Sequence, residues 1–312
     1  MNIYRVPNIL GVQIQLMHTY PAKVLLFGEH ILLRGAAALA APLSLYGGQW
    51  ELDSPPHSDK QFRLREWAEY LLERPYHLDI NAFQRDLDAG LFFQSDIPTG
   101  YGLGSSGALS AAVYGRYAEH PIDRNDPNQL PELRGILADM ECFFHGASSG
   151  IDPLVSYLNR PLLLRPGGAL ETVSLPALPQ GMRLFLLDSR RTRSTGPMVQ
   201  YFRQRCEDPA FESLMHSELL DVSNAAVAAL LDHRMEDFSR HFQSISHFQL
   251  QYLAPMIPDD VQQVWQTGNA SGAFSLKLCG AGGGGVFLGL AQDSALEKAG
   301  IEGDFPCHML NM

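Results

Sequence analysis

Residues 98–115 read PTGYGLGSSGALSAAVYG, and the fold turns on what this glycine-rich stretch does. Its centre, GLGSSG (Gly102, Leu103, Gly104, Ser105, Ser106, Gly107), satisfies G-x-G-x-x-G, the spacing of loops that hold a dinucleotide pyrophosphate. Upstream, residues 91–97 alternate Leu91, Phe93, Ser95 and Ile97 against Phe92, Gln94 and Asp96, which predicts a strand with one buried face. Downstream, residues 105–117 are rich in alanine and other helix-compatible types. The loop therefore joins a strand to a helix. Glycines let the backbone approach an anion, and a helix start offers unpaired N–H groups and the positive end of its dipole. Phosphate binding is the expectation, against the plainer alternative of a tight turn with no ligand.

A dinucleotide would also need an acidic residue about 20 positions on, at the end of a second parallel strand. Glu119 and Asp123 fall near that distance, but they sit in HPIDRNDPNQLP, a proline-containing loop. The two adjacent serines suit a different role, as hydroxyls that touch a phosphate or a phosphate-bound Mg²⁺. The formal charge of −11 argues against nucleic acid as a partner. No apolar run approaches the roughly 20 residues that span a bilayer. The four cysteines, Cys142, Cys206, Cys279 and Cys307, form no C-x-x-C pair, which fits reduced thiols in a cytoplasmic protein better than disulfides or zinc. Residues 1–16 lack a signal-peptide pattern and read as an extension outside the core, with Met17 an alternative start.

Around the central loop, residues 22–27 (AKVLLF) read as a buried strand ending at Gly28-Glu29-His30, and Gly47-Gly48 reads as a turn. Helices are expected over 62–74, 133–144, 196–206, 212–231 and 235–254, from apolar residues at helical spacing and from composition. Asp152-Pro153 looks like a helix start, with Asp152 as N-cap and Pro153 at the first helical position. The turn-rich stretch 166–181 divides the chain into an N-terminal domain, residues 1–175, and a C-terminal domain, 176–312. The second domain opens with a strand over 182–187. Phe274, Leu276 and Leu278 alternate with Ser275, Lys277 and Cys279, which predicts a half-buried strand, and 286–290 another. Between them lies KLCGAGGGG (277–285), with five glycines in six residues. A loop between two strands is not a strand–loop–helix cradle, so close approach of backbone to a ligand is expected in place of a simple turn.

Three further features bear on chemistry. Lysine is rare, four (Lys23, Lys60, Lys277, Lys298) against 19 arginines, and Lys23 starts an apolar strand where a solvated lysine would be an odd choice. In ECFFHGASSGID (141–152), Glu141 reads by default as solvated and gains interest only as a metal carboxylate, Asp152 reads as a helix cap that could also act as a base, and His145 reads as structural. Arg190, Arg191 and Arg193 form a basic patch in an acidic chain, equally suited to solvent or to an anion.

In this order, PAKVLLFGEHILLRG (21–35), PTGYGLGSSGALSA (98–111) and KLCGAGGGG (277–285) resemble the three motifs of the GHMP kinase superfamily. Within it the segments are most similar to mevalonate kinases, in the compact form of Bacteroidetes-type bacteria. The resemblance implies an α+β fold of two domains, one related to ribosomal protein S5 domain 2 and one ferredoxin-like, with the active site between them. It implies ATP and Mg²⁺, and a small alcohol as acceptor, with mevalonate favoured and a homodimer compatible. Asp152 would be the base and Lys23 the hydroxyl activator; Glu141 and Ser106 would hold the metal. Gly102, Leu103, Gly104, Ser105, Ser106 and Gly107 would carry the triphosphate with Gly280, Ala281 and Gly282. Glu29, His30, Arg193, Ser194 and Thr195 would meet the acceptor. Departures from the family pattern are Ala22 for glycine, Ala147-Ser148 for a residue followed by proline, Cys279 for Thr or Ser, and Gly107, which looks incidental where relatives carry alanine. None removes a charged group. The alternatives are another kinase of the superfamily acting on phosphomevalonate or a sugar, a non-catalytic nucleotide-binding relative, and a dinucleotide oxidoreductase.

Overall fold

Strand β1 (Tyr20–Phe27) forms where the apolar run predicts it and is buried along nearly its whole length. After a single 3₁₀ turn at Leu32–Arg34, closed by Gly35 in the left-handed region, the chain enters the long strand β2 (Ala38–Leu52) beside β1. The turn expected at Gly47-Gly48 does not occur; both glycines lie inside β2. The reason is packing. A Cβ at Gly48 would sit 2.2 Å from the Phe93 ring, and one at Gly47 would sit 3.2 Å from the Tyr20 carbonyl oxygen. Glycine in a strand marks such close approaches as often as it marks turns. The structure, a computed structural model, describes residues 19–53, 58–292 and 305–310. The extension read over residues 1–16 lies outside them.

Contacts group the chain into two units, and neither is a continuous half. The first comprises Met1–Lys23, Pro42–Pro98 and Leu103–Arg160; the second comprises Val24–Ala41, Thr99–Gly102 and Pro161–Met312. In the first unit the C-terminal half of β2 pairs antiparallel with β3 (Leu91–Ser95), from Gly48 opposite Ser95 to Leu52 opposite Leu91. Helices α1 (Ser58–Leu72), α2 (Ile80–Asp88), α3 (Ser105–Tyr117), α4 (Leu130–His145) and α5 (Ile151–Leu158) complete it. Helix α2, not among the helices expected above, buries Ile80, Phe83 and Leu87 at helical spacing and is capped by Asp79 accepting from the Ala82 N–H at 2.8 Å. Trp67 of α1 is fully buried, and its indole N–H donates to the Met140 carbonyl on α4 at 3.0 Å. Helix α3 packs through small residues: Ala108, Ala111 and Ala112 are fully buried, so its backbone comes close to its neighbours.

In the second unit the first residues of β2 pair with β4 (Leu162–Leu164), which turns back into β5 (Leu170–Thr172). A separate antiparallel sheet takes the order β7-β8-β6-β9, from β6 (Met182–Asp188), β7 (Phe274–Leu278), β8 (Val286–Gln292) and β9 (Cys307–Met309). Helices α6 (Thr195–Arg205), α7 (Pro209–Met215), α8 (Asp221–Leu231), α9 (Met235–Tyr252) and α10 (Asp259–Ser271) accompany it, with one π-helical turn (His216–Leu220) joining α7 to α8. Strand β7 is not half-buried as expected: all five residues are buried, Ser275 and Lys277 included. Both units are thus α+β. Among the described residues no helix is long and apolar enough to cross a membrane.

Candidate active site

In the first unit, Lys23 reaches the glycine loop from β1. Its backbone N–H donates to the Leu103 carbonyl at 2.9 Å. Its ammonium nitrogen lies 3.0 Å from Oδ1 of Asp152, with the lysine side chain 10% exposed and the aspartate 31%. The carboxylate is therefore open to a ligand while the lysine is largely enclosed by protein. Asp152 is not the N-cap of its helix: α5 begins at Ile151, Gly150 is the N-cap with φ 72°, and no side chain caps the end. The carboxylate instead sits in the first turn, where the positive end of the helix dipole favours it. Helix α3 likewise starts without a side-chain cap, after Gly104 at φ 78°. Its first N–H groups are left for another acceptor, which is the physical basis of anion binding at such ends.

Gly107 is not incidental. A Cβ there would lie 2.8 Å from the Pro153 nitrogen and 3.0 Å from the Asp152 Cβ, closer than real Cβ contacts come. The missing side chain is what lets α3 meet α5 and brings Asp152 beside the start of α3.

Glu141, near the end of α4, is buried and held by two hydroxyls: Ser106 donates to Oε1 at 2.7 Å and Ser148 to Oε2 at 2.5 Å. The His145 Nε2 lies 2.9 Å from the Ser106 oxygen, which is already donating, so the imidazole N–H is the donor there. Burial pushes the Glu141 carboxyl up from the usual range and the Asp152 charge adds to it, while both serine hydroxyls oppose the rise. Ser148 stood out in the sequence only as a departure from a family pattern; its bond to Glu141 gives it a function. Among the described residues no group of three or more His, Cys, Asp or Glu is gathered for a metal. Mg²⁺ does not need one, since it takes one or two carboxylates and completes its shell with phosphate and water oxygens. A carboxylate and a hydroxyl together are oxygen donors of the right hardness.

The second unit contains a different cluster. Glu29 forms a buried ion pair with Lys277, whose ammonium also donates to the carbonyls of Leu26 at 2.9 Å and Leu278 at 2.6 Å. Burial drives the Glu29 carboxyl up, against the pull of the ammonium. His30 takes a positive φ of 65°, stacks on Phe202 with ring centroids 4.9 Å apart, and places Nε2 3.0 Å from the Ala281 carbonyl. A carbonyl only accepts, so Nε2 carries the proton. Burial pushes the imidazole pKa down to about 4, leaving Nδ1 an unprotonated acceptor at neutral pH.

Arg193 donates its backbone N–H to the Gly100 carbonyl at 3.0 Å and lays its guanidinium against two glycines. A Cβ at Gly102 would be 1.7 Å from its Nη2, and one at Gly280 would be 2.6 Å away. Gly282 and Gly285 are similarly closed in, 2.7 Å from the carbonyl oxygens of Met256 and Tyr101. The glycines are therefore required first by the protein's own packing. Ser194 is the N-cap of α6, and it and Thr195 are exposed. Of the other patch arginines, Arg191 pairs with Asp260 at 2.7 Å. A cavity of about 680 Å³ opens beside His30 and Ala281.

The family description "GHMP kinases N terminal domain" matches residues 68–160, and "GHMP kinases C terminal" matches residues 226–302. The chain belongs to the GHMP kinases, and it is an ATP-dependent kinase acting on an alcohol. Within that family it is most like mevalonate kinase. The mevalonate kinase of Pyrococcus horikoshii is 27% identical over 311 residues, covering 89% of each chain. The crystal structure of L. major mevalonate kinase in complex with R-mevalonate superposes with a TM-score of 0.64 at 18% identity, over 93% of both chains. Streptococcus pneumoniae phosphomevalonate kinase superposes equally well, at 0.64 and 15% identity, over 94% of this chain and 97% of that one. The shared fold is common to enzymes whose acceptors differ.

Proposed function

We propose that the chain is a mevalonate 5-kinase, transferring the terminal phosphoryl group of ATP to the 5-hydroxyl of mevalonate. The observation that carries this is the 3.0 Å pair of Lys23 and Asp152 beside the uncapped start of α3. Asp152 accepts the proton of the acceptor hydroxyl. Lys23, held against it, lowers the pKa of that hydroxyl and offsets charge on the moving phosphoryl group. The α3 N–H groups at Ser105, Ser106 and Gly107, with the loop from Gly102 to Gly104, bind phosphate oxygens, and Gly280, Ala281 and Gly282 are assigned to the same nucleotide. Glu141 and Ser106 would hold Mg²⁺, which when bound neutralises phosphate charge. Ser148 and His145 orient those two groups. On the acceptor side stand Glu29, His30, Arg193, Ser194 and Thr195. His30 is suited to accept from a hydroxyl through Nδ1. This is catalysis by positioning and electrostatics, as expected for phosphoryl transfer. Along the sequence we assign residues 1–175 to an N-terminal kinase domain and 176–312 to a C-terminal one, a division distinct from the two interleaved contact units.

The test is ADP release with mevalonate, phosphomevalonate, homoserine and galactose as separate acceptors. Turnover of mevalonate with kcat/KM well above the other three is expected. Turnover of another acceptor and none of mevalonate would sink the assignment.

A further inference from the structure

The cavity of the second unit is lined by three kinds of group. Glu29, His30 and Ala281 supply polar contacts; Leu25, Leu32, Val199 and Phe202 supply apolar wall; Arg34 and Arg203 supply positive charge. An acidic acceptor seated in this cavity would put its anion against one of them, and the bonds already made decide which. Glu29 is an acid tied to Lys277. The Nε2–H of His30 is committed to the Ala281 carbonyl, and the lone pair on Nδ1 repels a carboxylate. Arg34 already faces Glu212. Arg203, on α6 one residue beyond Phe202, is exposed and has no acidic partner among the described residues. It is the lining cation whose charge is still available.

The geometry points to Arg203 as the residue that binds the anionic group of the acceptor, with the Arg34–Glu212 pair fixing the neighbouring wall. This rests on the kinase function proposed above and narrows its acceptor class. The acceptor is an alcohol carrying a carboxylate or phosphate, with a short apolar carbon skeleton that lies on Leu25, Leu32, Val199 and Phe202. A neutral sugar would leave Arg203 without a partner and put hydroxyls against hydrocarbon. Sequence patterns could not single out Arg203, because it lies outside every motif and is one of 19 arginines.

Full-length wild type, R203Q and R203K are assayed with mevalonate, with its uncharged N-methyl amide and with phosphomevalonate. A charged hydrogen bond lost on binding predicts that R203Q raises KM for mevalonate about tenfold or more. KM for MgATP should stay within about twofold, and so should kcat/KM for the amide relative to wild type. R203K should recover part of the loss, since it keeps the charge without the planar fork. An unchanged mevalonate KM in R203Q overturns the anchor and leaves the mevalonate assignment standing. If wild type uses phosphomevalonate and not mevalonate, and R203Q raises that KM, the anchor stands and the mevalonate assignment falls. Turnover of galactose alone overturns both. If no alcohol turns over, calorimetric titration of mevalonate decides: weaker binding to R203Q supports the anchor and equal binding overturns it. Unfolding midpoints are compared first, and if R203Q fails to fold, the KM shift in R203K is the readout.

Discussion

Asp152, the proposed base, makes one ion pair and leaves part of its carboxylate open. Asp152→Asn keeps the shape and removes the basicity. Turnover should fall about 10²–10⁴-fold or more, the usual contribution of a positioned base, while MgATP still raises the melting temperature. A variant with near-normal kcat would show that another group takes the proton. His30 gives a second prediction, on stability. Its imidazole titrates near 4 in the folded chain and near 6.5 when unfolded. Between those values the unfolded chain holds a proton that the folded chain does not. Stability is therefore full above 6.5 and is lost as pH falls toward 4. Asparagine tolerates the same positive φ, so His30→Asn should remove this dependence. Its unfolding free energy should fall by about 2 kcal/mol less than that of wild type between pH 7 and pH 5, measured by urea denaturation. In the sequence Lys23 stood out as a lysine at the start of an apolar strand, while Glu141 and Asp152 drew attention chiefly through the resemblance of their segment to a family motif. The protonation state of His30 was not legible there, since burial sets it, and the tautomer depends on a carbonyl 251 positions away.

The packing of α3 on α5 sets where the Lys23–Asp152 pair can form. Glycine inside a helix costs up to about 1 kcal/mol against alanine in propensity, so Gly107→Ala in isolation should stabilise α3. Here the added methyl would meet the α5 backbone at Pro153, and the helices must part. The expected outcome is a drop in kcat of about tenfold or more, because displacement of a catalytic group by about 1 Å costs up to two orders of magnitude. Steady-state kinetics beside a melting curve would check it; a gain in melting temperature with unchanged kcat would mean α5 does not move. The bounds of α3 were readable to the residue from composition and the preceding glycines. The role of Gly107 was not, since no pattern within α3 shows what lies across from it. The same limit explains β2 and β7. Alternation was visible in β7, but not that a buried acid from the first motif would let Lys277 turn inward.

Over the whole chain the net charge is −11 and only four residues are lysines, so the nucleotide site proposed above relies on the uncapped start of α3. That economy makes each buried lysine consequential. Lys277→Met leaves Glu29 enclosed without its cation, and should cost about 3–5 kcal/mol in chemical unfolding. Adding Glu29→Gln to that variant should cost little more, the signature of a coupled pair; full additivity would show the two side chains act independently. The two-part α+β organisation was legible from motif order. The interleaving of the two units was not, because strand exchange between them leaves no mark in composition.

The Glu29–Lys277 pair also bears on how the chain is made. During synthesis the segment from Val24 to Ala41 leaves the ribosome long before β7, yet its Glu29 carboxylate and Leu26 carbonyl are met by Lys277, some 250 positions later. Contacts so distant in sequence form slowly and leave apolar surface exposed meanwhile. The segment that holds Glu29 therefore has to wait for β7 before its acid is paired.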